Sequence, residues 1–216
     1  MVNSRFHDCD NYKPKPIPLL KNKILLVEGK DECLFFKAFL KRIRLIDEIQ
    51  IFDSGGVTNI KDRLTGIVKM SGFSRVNAIG IIRDADSDSS SSFLAVKNAL
   101  RDLQLPCPGN SFEVTDTNPK ICVFILPDDN TNGELEDLCL MSINDKNEMR
   151  CVDQYFGCLR ENELDRARKP SKSKIHVYLA SQEEMVSIGV AAAKGYWPLD
   201  SQVFSRIENC LTRLFS

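Results

Sequence analysis

Apolar positions along this chain change period in a regular way. Ile24 to Val27 is a continuous apolar run that stops at Glu28, and Gly29 then turns the chain into hydrophobics of helical spacing from Lys30 to Arg42. An apolar run closed by a glycine turn and followed by a helix is how a buried parallel strand feeds a crossover helix. The unit recurs. Glu48 to Asp53 is a short strand ending in Ser54-Gly55-Gly56, and a helix from Thr58 to Met70 follows, opened by a Thr or Asn cap. Val76 to Ile82 is a third strand, closed by the loop Asp84-Ala85-Asp86. The helix after it, Ser92 to Leu103, carries Phe93, Val96, Leu100 and Leu103 on one face. Pro106 and Pro108 break the chain before a fourth strand, Ile121 to Leu126.

The order β-α-β-α-β-α-β predicts an α/β fold: a mostly parallel, four-stranded, Rossmann-like sheet with helices on both faces. Beyond Pro127 the pattern turns helical. A polar turn at 128–133 leads to a short helix from Glu134 to Met141, and residues 147–166 read as a second helix. The basic stretch Arg166 to Lys174 reads as a loop, and two more helices follow at about 174–193 and 200–215. The last shows Val203, Phe204, Ile207, Leu211 and Leu214 as one stripe behind Pro198 and Asp200. The expected organisation is an extended lead-in over 1–21 containing Pro14, Pro16 and Pro18, an α/β core over 22–145, and a helical C-terminal extension over 146–216 packed on that core.

With 216 residues the chain is long enough for one sizeable core, and 29 basic residues nearly balance 30 acidic ones. A net charge of −1 argues against a non-specific nucleic-acid coat but leaves room for a local basic patch. Eight cysteines without a Cys-x-x-Cys pair, and only His7 and His176 as imidazoles, make a structural zinc site a poor fit. The expectation is eight reduced thiols in a cytoplasmic protein. No apolar run reaches the length of a membrane span.

The chemistry lies at the strand ends. Glu28, Asp84 and Asp86 close two strands, and parallel pairing would bring them to one sheet edge, where open α/β sheets place their ligands. Crowded carboxylates need a cation, and hard divalent ions such as Mg²⁺ favour such oxygen donors. Glu32 stands four residues after Glu28 and faces the same side of the helix. Glu134, Glu136 and Asp137 follow the fourth strand and are placed to reach the same edge, although acids there also stabilise a helix N-terminus. Asp84-x-Asp86-x-Asp88 imitates an EF-hand start, but Ser89 and Ala95 occupy the positions that need Gly and Glu.

Val-Glu-Gly-Lys-Asp-Glu at 27–32, Gly55-Gly56 after the second strand and Asp84-Ala85-Asp86 after the third together resemble the TOPRIM domain, over roughly residues 22–140. That fold is shared by topoisomerases, bacterial primases, recombination-mediator proteins and OLD-family nucleases. The tail, with Gly195-Tyr196-Trp197-Pro198, resembles a small bacterial family of TOPRIM-like proteins related to the OLD nuclease domain. The resemblance implies Mg²⁺ or Mn²⁺, one or two ions, held by Glu28, Asp84 and Asp86, with Glu32 matching the second glutamate of the OLD branch and Glu136 the acid after the fourth strand. It implies nucleic acid as the partner and phosphodiester hydrolysis as the reaction, with Glu28 also a candidate general base. Lys174 is a candidate for stabilising charge on the scissile phosphate. Nothing in the chain resembles an ATPase domain, an active-site Tyr module or a zinc ribbon, so strand passage and primer synthesis are not expected. Two other readings stay open: a non-catalytic TOPRIM module that binds nucleic acid or a partner, and a Mg²⁺-dependent enzyme acting on a small phosphorylated substrate.

Overall fold

The computed structural model describes residues 18–56, 60–128 and 131–216. Its sheet has four parallel strands, β1 (Lys23–Val27), β2 (Ile49–Asp53), β3 (Ala78–Asp84) and β4 (Lys120–Leu126), in the order β2-β1-β3-β4. Placing β1 between β2 and β3 reverses the winding direction at β1, so the crevice opens at the carboxyl ends of β1 and β3. The register pairs Val27 with Asp53 and Asp84 with Leu126, which brings all four carboxyl ends to one edge.

Strand side chains alternate between two apolar layers, as a period of two requires. Leu25, Val27, Ile82, Cys122, Phe124 and Leu126 point to one face. Ile24, Leu26, Ile79, Ile81, Ile121, Val123 and Ile125 point to the other. The second face is covered by α2 (Ile60–Val68) and α3 (Ser89–Asp102), through Leu64, Ile67, Val96 and Leu100. The first takes α1 (Lys30–Arg42) and the whole C-terminal series: α4 (Leu135–Ile143), α5 (Asn147–Glu161), α6 (Pro170–Ala180), α7 (Ile188–Ala193) and α8 (Ser205–Phe215). Phe35, Phe36 and Phe39 of α1 form an aromatic cluster with Phe204, the rings 5.2–6.4 Å apart. Tyr178 stacks on Trp197, whose indole N–H donates to the Ile188 carbonyl at 2.9 Å.

α8 lies directly on the centre of the sheet because β3 carries a glycine there. A Cβ on Gly80 would come within 2.7 Å of Leu25 Cδ1 and 3.2 Å of Leu214 Cδ2, so a larger residue would force these packed side chains to shift.

The α/β architecture and the parallel sheet match the pattern of the sequence, while several boundaries differ for local reasons. β3 runs on through Asp84, which makes this acid a strand residue and buries it. α3 begins at Ser89 rather than Ser92, because the Asp88 side chain caps it by accepting from the Ser91 N–H at 3.0 Å. The basic stretch expected as a loop is helical from Pro170, a residue suited to the first helical turn, so Lys172 and Lys174 lie on α6. The helix expected over 174–193 is two helices. The Ser181 hydroxyl donates to the Tyr178 carbonyl at 2.7 Å and ends the first, and α7 starts afresh at Ile188. The expected cap at Thr58 or Asn59 and the lead-in up to residue 17 lie outside the described residues.

Cys107, Cys122, Cys139, Cys151, Cys158 and Cys210 are free thiols, but Cys33 is disulfide-bonded, which corrects the expectation of eight reduced cysteines. Among the described residues no helix is long and apolar enough to cross a membrane.

Candidate metal centre

The carboxyl edge of the sheet is built from three loops that support one another. After β2, the Gly56 N–H and the Ser54 hydroxyl both donate to the Glu28 carbonyl at 3.0 Å, fixing the backbone where β1 ends. The positive φ of Gly55 and Gly56 (72° and 112°) allows the turn that places them there. After β3, Asp86 sits at a φ of 51°, and its N–H donates to the Gly133 carbonyl at 2.9 Å. Asn132 ties the same loops from the other side: its amide donates to the Ser87 carbonyl at 2.6 Å, and its oxygen accepts from the Ser89 N–H at 3.1 Å. Gly133, at a φ of 149°, turns the chain into α4. A Cβ there would meet Asp137 Oδ2 at 2.6 Å, so this turn and the acids behind it require glycine.

α4 opens with a reciprocal cap. The Glu134 side chain accepts from the backbone of residue 137, and Asp137 Oδ2 accepts from the Glu134 N–H at 2.8 Å. Asp84 Oδ1 accepts from the Leu135 N–H at 3.1 Å, so the last residue of β3 is also bonded to the first turn of α4. This geometry brings one carboxylate oxygen each from Asp84, Glu134 and Glu136 within 4.8 Å of one another. Asp84 and Glu136 are buried and Glu134 is half-buried.

Glu28 and Glu32 complete the cluster from the β1 side. Glu28 Oε2 accepts from the Asp84 N–H at 3.4 Å. Burial pushes the Glu28 carboxyl up, the Asp84 N–H opposes this, and the charge of Asp86 adds to it. Glu32 is pushed up to about 7, first by burial and then by the charges of Glu28 and Glu136. Asp84 is raised well above the usual range, again first by burial, then by Glu32, Glu28 and Glu136. Each of the acids Glu28, Glu32, Asp84, Asp86, Glu134 and Glu136 thus acts electrostatically on at least one other, and three of them hold protons more tightly than a free carboxyl does.

Two lysines answer this charge from α6 and the turn before it. Lys169 Nζ pairs with Glu134, and Lys172 Nζ lies 3.2 Å from Glu136 Oε1. The Ser171 hydroxyl donates to Asp137. Lys169, Ser171 and Lys172 line a cleft of about 200 Å³ together with Asp86, Glu134, Asp137 and Arg168. Lys174, singled out from the sequence, points elsewhere and pairs with Asp153 of α5 at 2.5 Å. The sequence placed Lys172 in a solvated loop; its signal as a cluster residue is its position three after Lys169, one turn apart once Pro170 starts a helix. Glu134 and Glu136 follow β4 at nearly equal distance along the chain, so the sequence alone does not single out Glu134.

A set of carboxylate oxygens with no soft donor suits a hard divalent cation, and the cost of burying these charges, with their mutual repulsion added, is what such a cation would relieve. Asp84, Glu134 and Glu136 could hold one ion. The ordering of strands and acids defines the class: an open α/β sheet with a buried acidic edge. The chain belongs to the family described as "Protein of unknown function (DUF3226)", whose model matches residues 22–216. No curated protein matches it. Among solved structures it is similar to the C-terminal region of the OLD protein of Xanthomonas campestris pv. campestris. The iodine-phased structure of that region has 12% identity and a TM-score of 0.51, covering 91% of this chain and 97% of the other. The mercury-phased structure has 13% identity and a TM-score of 0.48, over the same shares of each chain. At such identity the first likeness speaks for the fold.

Proposed function

We propose that this protein is a TOPRIM-like, divalent-metal-dependent hydrolase of phosphodiester bonds in nucleic acid. The observation that carries the reading is the convergence of Glu28, Glu32, Asp84, Glu134 and Glu136 on the carboxyl edge of a parallel sheet, with Asp84 buried and bonded to α4. Burying several carboxylates together costs stability, and a fold retains such an arrangement where the charge has a use.

In this reading Asp84, Glu134 and Glu136 hold one Mg²⁺ or Mn²⁺, and Glu28, Glu32 and Asp86 border a second position. Held there, the ion would supply charge neutralisation at the phosphate and would make a water easier to deprotonate. The rest falls to the chain's own side chains. Glu28, with its carboxyl raised by burial, is a stronger base than a free carboxylate and is the side chain suited to accept a proton. Lys169, Lys172 and Arg168 rim the cleft beside the acids, and with the carboxylates neutralised they are free to meet phosphate oxygens. That gives them the role the sequence suggested for Lys174. The likeness to the OLD C-terminal region supports the fold on which this chemistry would be mounted.

The test is cleavage of end-labelled single- and double-stranded DNA and RNA in Mn²⁺, Mg²⁺ and chelator. Metal-dependent cleavage of at least one polymer is expected. Tight binding without cleavage would replace the enzyme with a binding module, and hydrolysis of nucleotides but no polymer would shift the substrate to a small phosphorylated molecule.

A further inference from the structure

Away from the acidic edge, the first sheet face holds two thiols in contact. Cys122, in the middle of β4 and fully buried, lies with its sulfur 3.1 Å from that of Cys210 on α8. The two residues are 88 apart in the chain. Cys210 Sγ is also 3.2 Å from the Phe112 carbonyl, to which Arg213 Nη2 donates at 3.4 Å, and the Arg206 guanidinium stacks 4.3 Å from the Phe112 ring centroid. Cys210, Arg206, Arg213, Phe112 and Ser205 line a cavity of about 570 Å³, so one sulfur of the pair has a route to small solutes and the other does not.

We propose that Cys122 and Cys210 are a dithiol oxidation site at which a hydroperoxide is reduced and α8 becomes covalently fastened to β4. The asymmetry assigns the roles. Cys210 meets the cavity, and the Cys122 thiol and the two arginines favour its thiolate, whereas Cys122 is held protonated by its bond to Cys210 and by burial. The Cys210 sulfur attacks the outer oxygen of the hydroperoxide. The O–O bond breaks, the alkoxide takes a proton and leaves as the alcohol, and Cys210 becomes a sulfenic acid. The Cys122 sulfur then attacks the Cys210 sulfur. The S–O bond breaks, and the departing hydroxide takes the Cys122 proton and leaves as water. Two thiols lose two electrons and two protons; the hydroperoxide becomes alcohol and water. The sulfurs already touch, so closing the bond needs a movement on the order of 1 Å, small enough for side-chain adjustment over the Gly80 contact of α8.

The experiment treats the full-length protein with stoichiometric hydrogen peroxide, blocks remaining thiols with N-ethylmaleimide and maps the peptides by mass spectrometry. The expected product joins the Cys122 and Cys210 peptides, lighter by two hydrogens, and dithiothreitol reverses it. In Cys122→Ala, Cys210 should stop at the sulfenic acid and be captured by dimedone. Should that variant fail to fold, the wild-type map decides alone. Recovery of both thiols as maleimide adducts, or of Cys210 joined to Cys107, Cys139, Cys151 or Cys158, would overturn the proposal.

Discussion

Without metal, the protein should lose stability as the pH is raised from about 5 to about 8, and millimolar Mn²⁺ or Mg²⁺ should restore it at the upper end but not the lower. The sign follows from Glu32, Glu28 and Asp84, whose carboxyls are all raised in the folded state. A group with a raised folded-state pKa contributes stability that is complete below its unfolded value and is lost as the pH climbs through the folded value. For Glu32 the window runs from its ordinary 4.5 to about 7. Across that window this one residue accounts for about 3 kcal/mol, a sizeable part of the 5–15 kcal/mol that holds a typical domain together. A divalent ion binds the ionised carboxylates, so its benefit grows where the apo protein suffers most; at about a hundredfold excess over Kd it contributes about 2.7 kcal/mol. Thermal melts at the two pH values, with Mn²⁺ and with chelator, check this. Equal melting temperatures at both pH values in chelator would contradict the buried-acid account.

Substitutions should then separate the cost of the site from its use, with the largest effects on catalysis. Asp84→Asn keeps an oxygen that can accept from the Leu135 N–H but removes a buried ionisable carboxyl beside Glu32 and Glu28. It should raise the apo melting temperature at about pH 8 by a few degrees while removing most of the stabilisation by Mn²⁺. Glu28→Gln leaves the backbone supports from Ser54 and Gly56 in place, since these reach the Glu28 carbonyl rather than its side chain. It should therefore fold normally yet lose metal-dependent cleavage by about 10²–10³-fold or more, the scale seen when one preorganised catalytic group is removed. Far-UV circular dichroism and single-turnover cleavage give the two readouts. Asp84→Asn should also lose metal-dependent cleavage, and a gain in apo stability together with that loss is what a purely structural acid would not produce. An Asp84→Asn protein that melts lower and still cuts would mean that Asp84 serves the fold alone.

Much of this arrangement was legible in the sequence because its signals are local. The apolar runs 24–27 and 121–126, each bounded by a turn residue, gave the strands, and Gly29 and Gly55-Gly56 gave the turns. Glu28 and Asp84 stand at strand ends, so parallel pairing alone brings them together. What the sequence hid depends on tertiary packing. Whether α6 starts at Pro170 or four residues later decides which lysines face the acids, and no periodicity marks that start among the charges of 166–174. Glu134 joins Asp84 and Glu136 only because Gly133 and Asp86 pair across two loops distant in the chain. The contact of Cys122 with Cys210 likewise needs α8 to lie on β4, which the stripe Ile207, Leu211 and Leu214 predicts as burial but not as an address.

The central claim is that the carboxyl edge of this sheet is a metal site, and anomalous diffraction from crystals grown with Mn²⁺ tests it most directly. The account predicts a manganese peak bounded by the carboxylates of Asp84, Glu134 and Glu136, with Lys169 and Lys172 drawn away from the acids they now pair with. A Mn²⁺-soaked crystal with these lysine pairs intact and no peak among the three acids would contradict it.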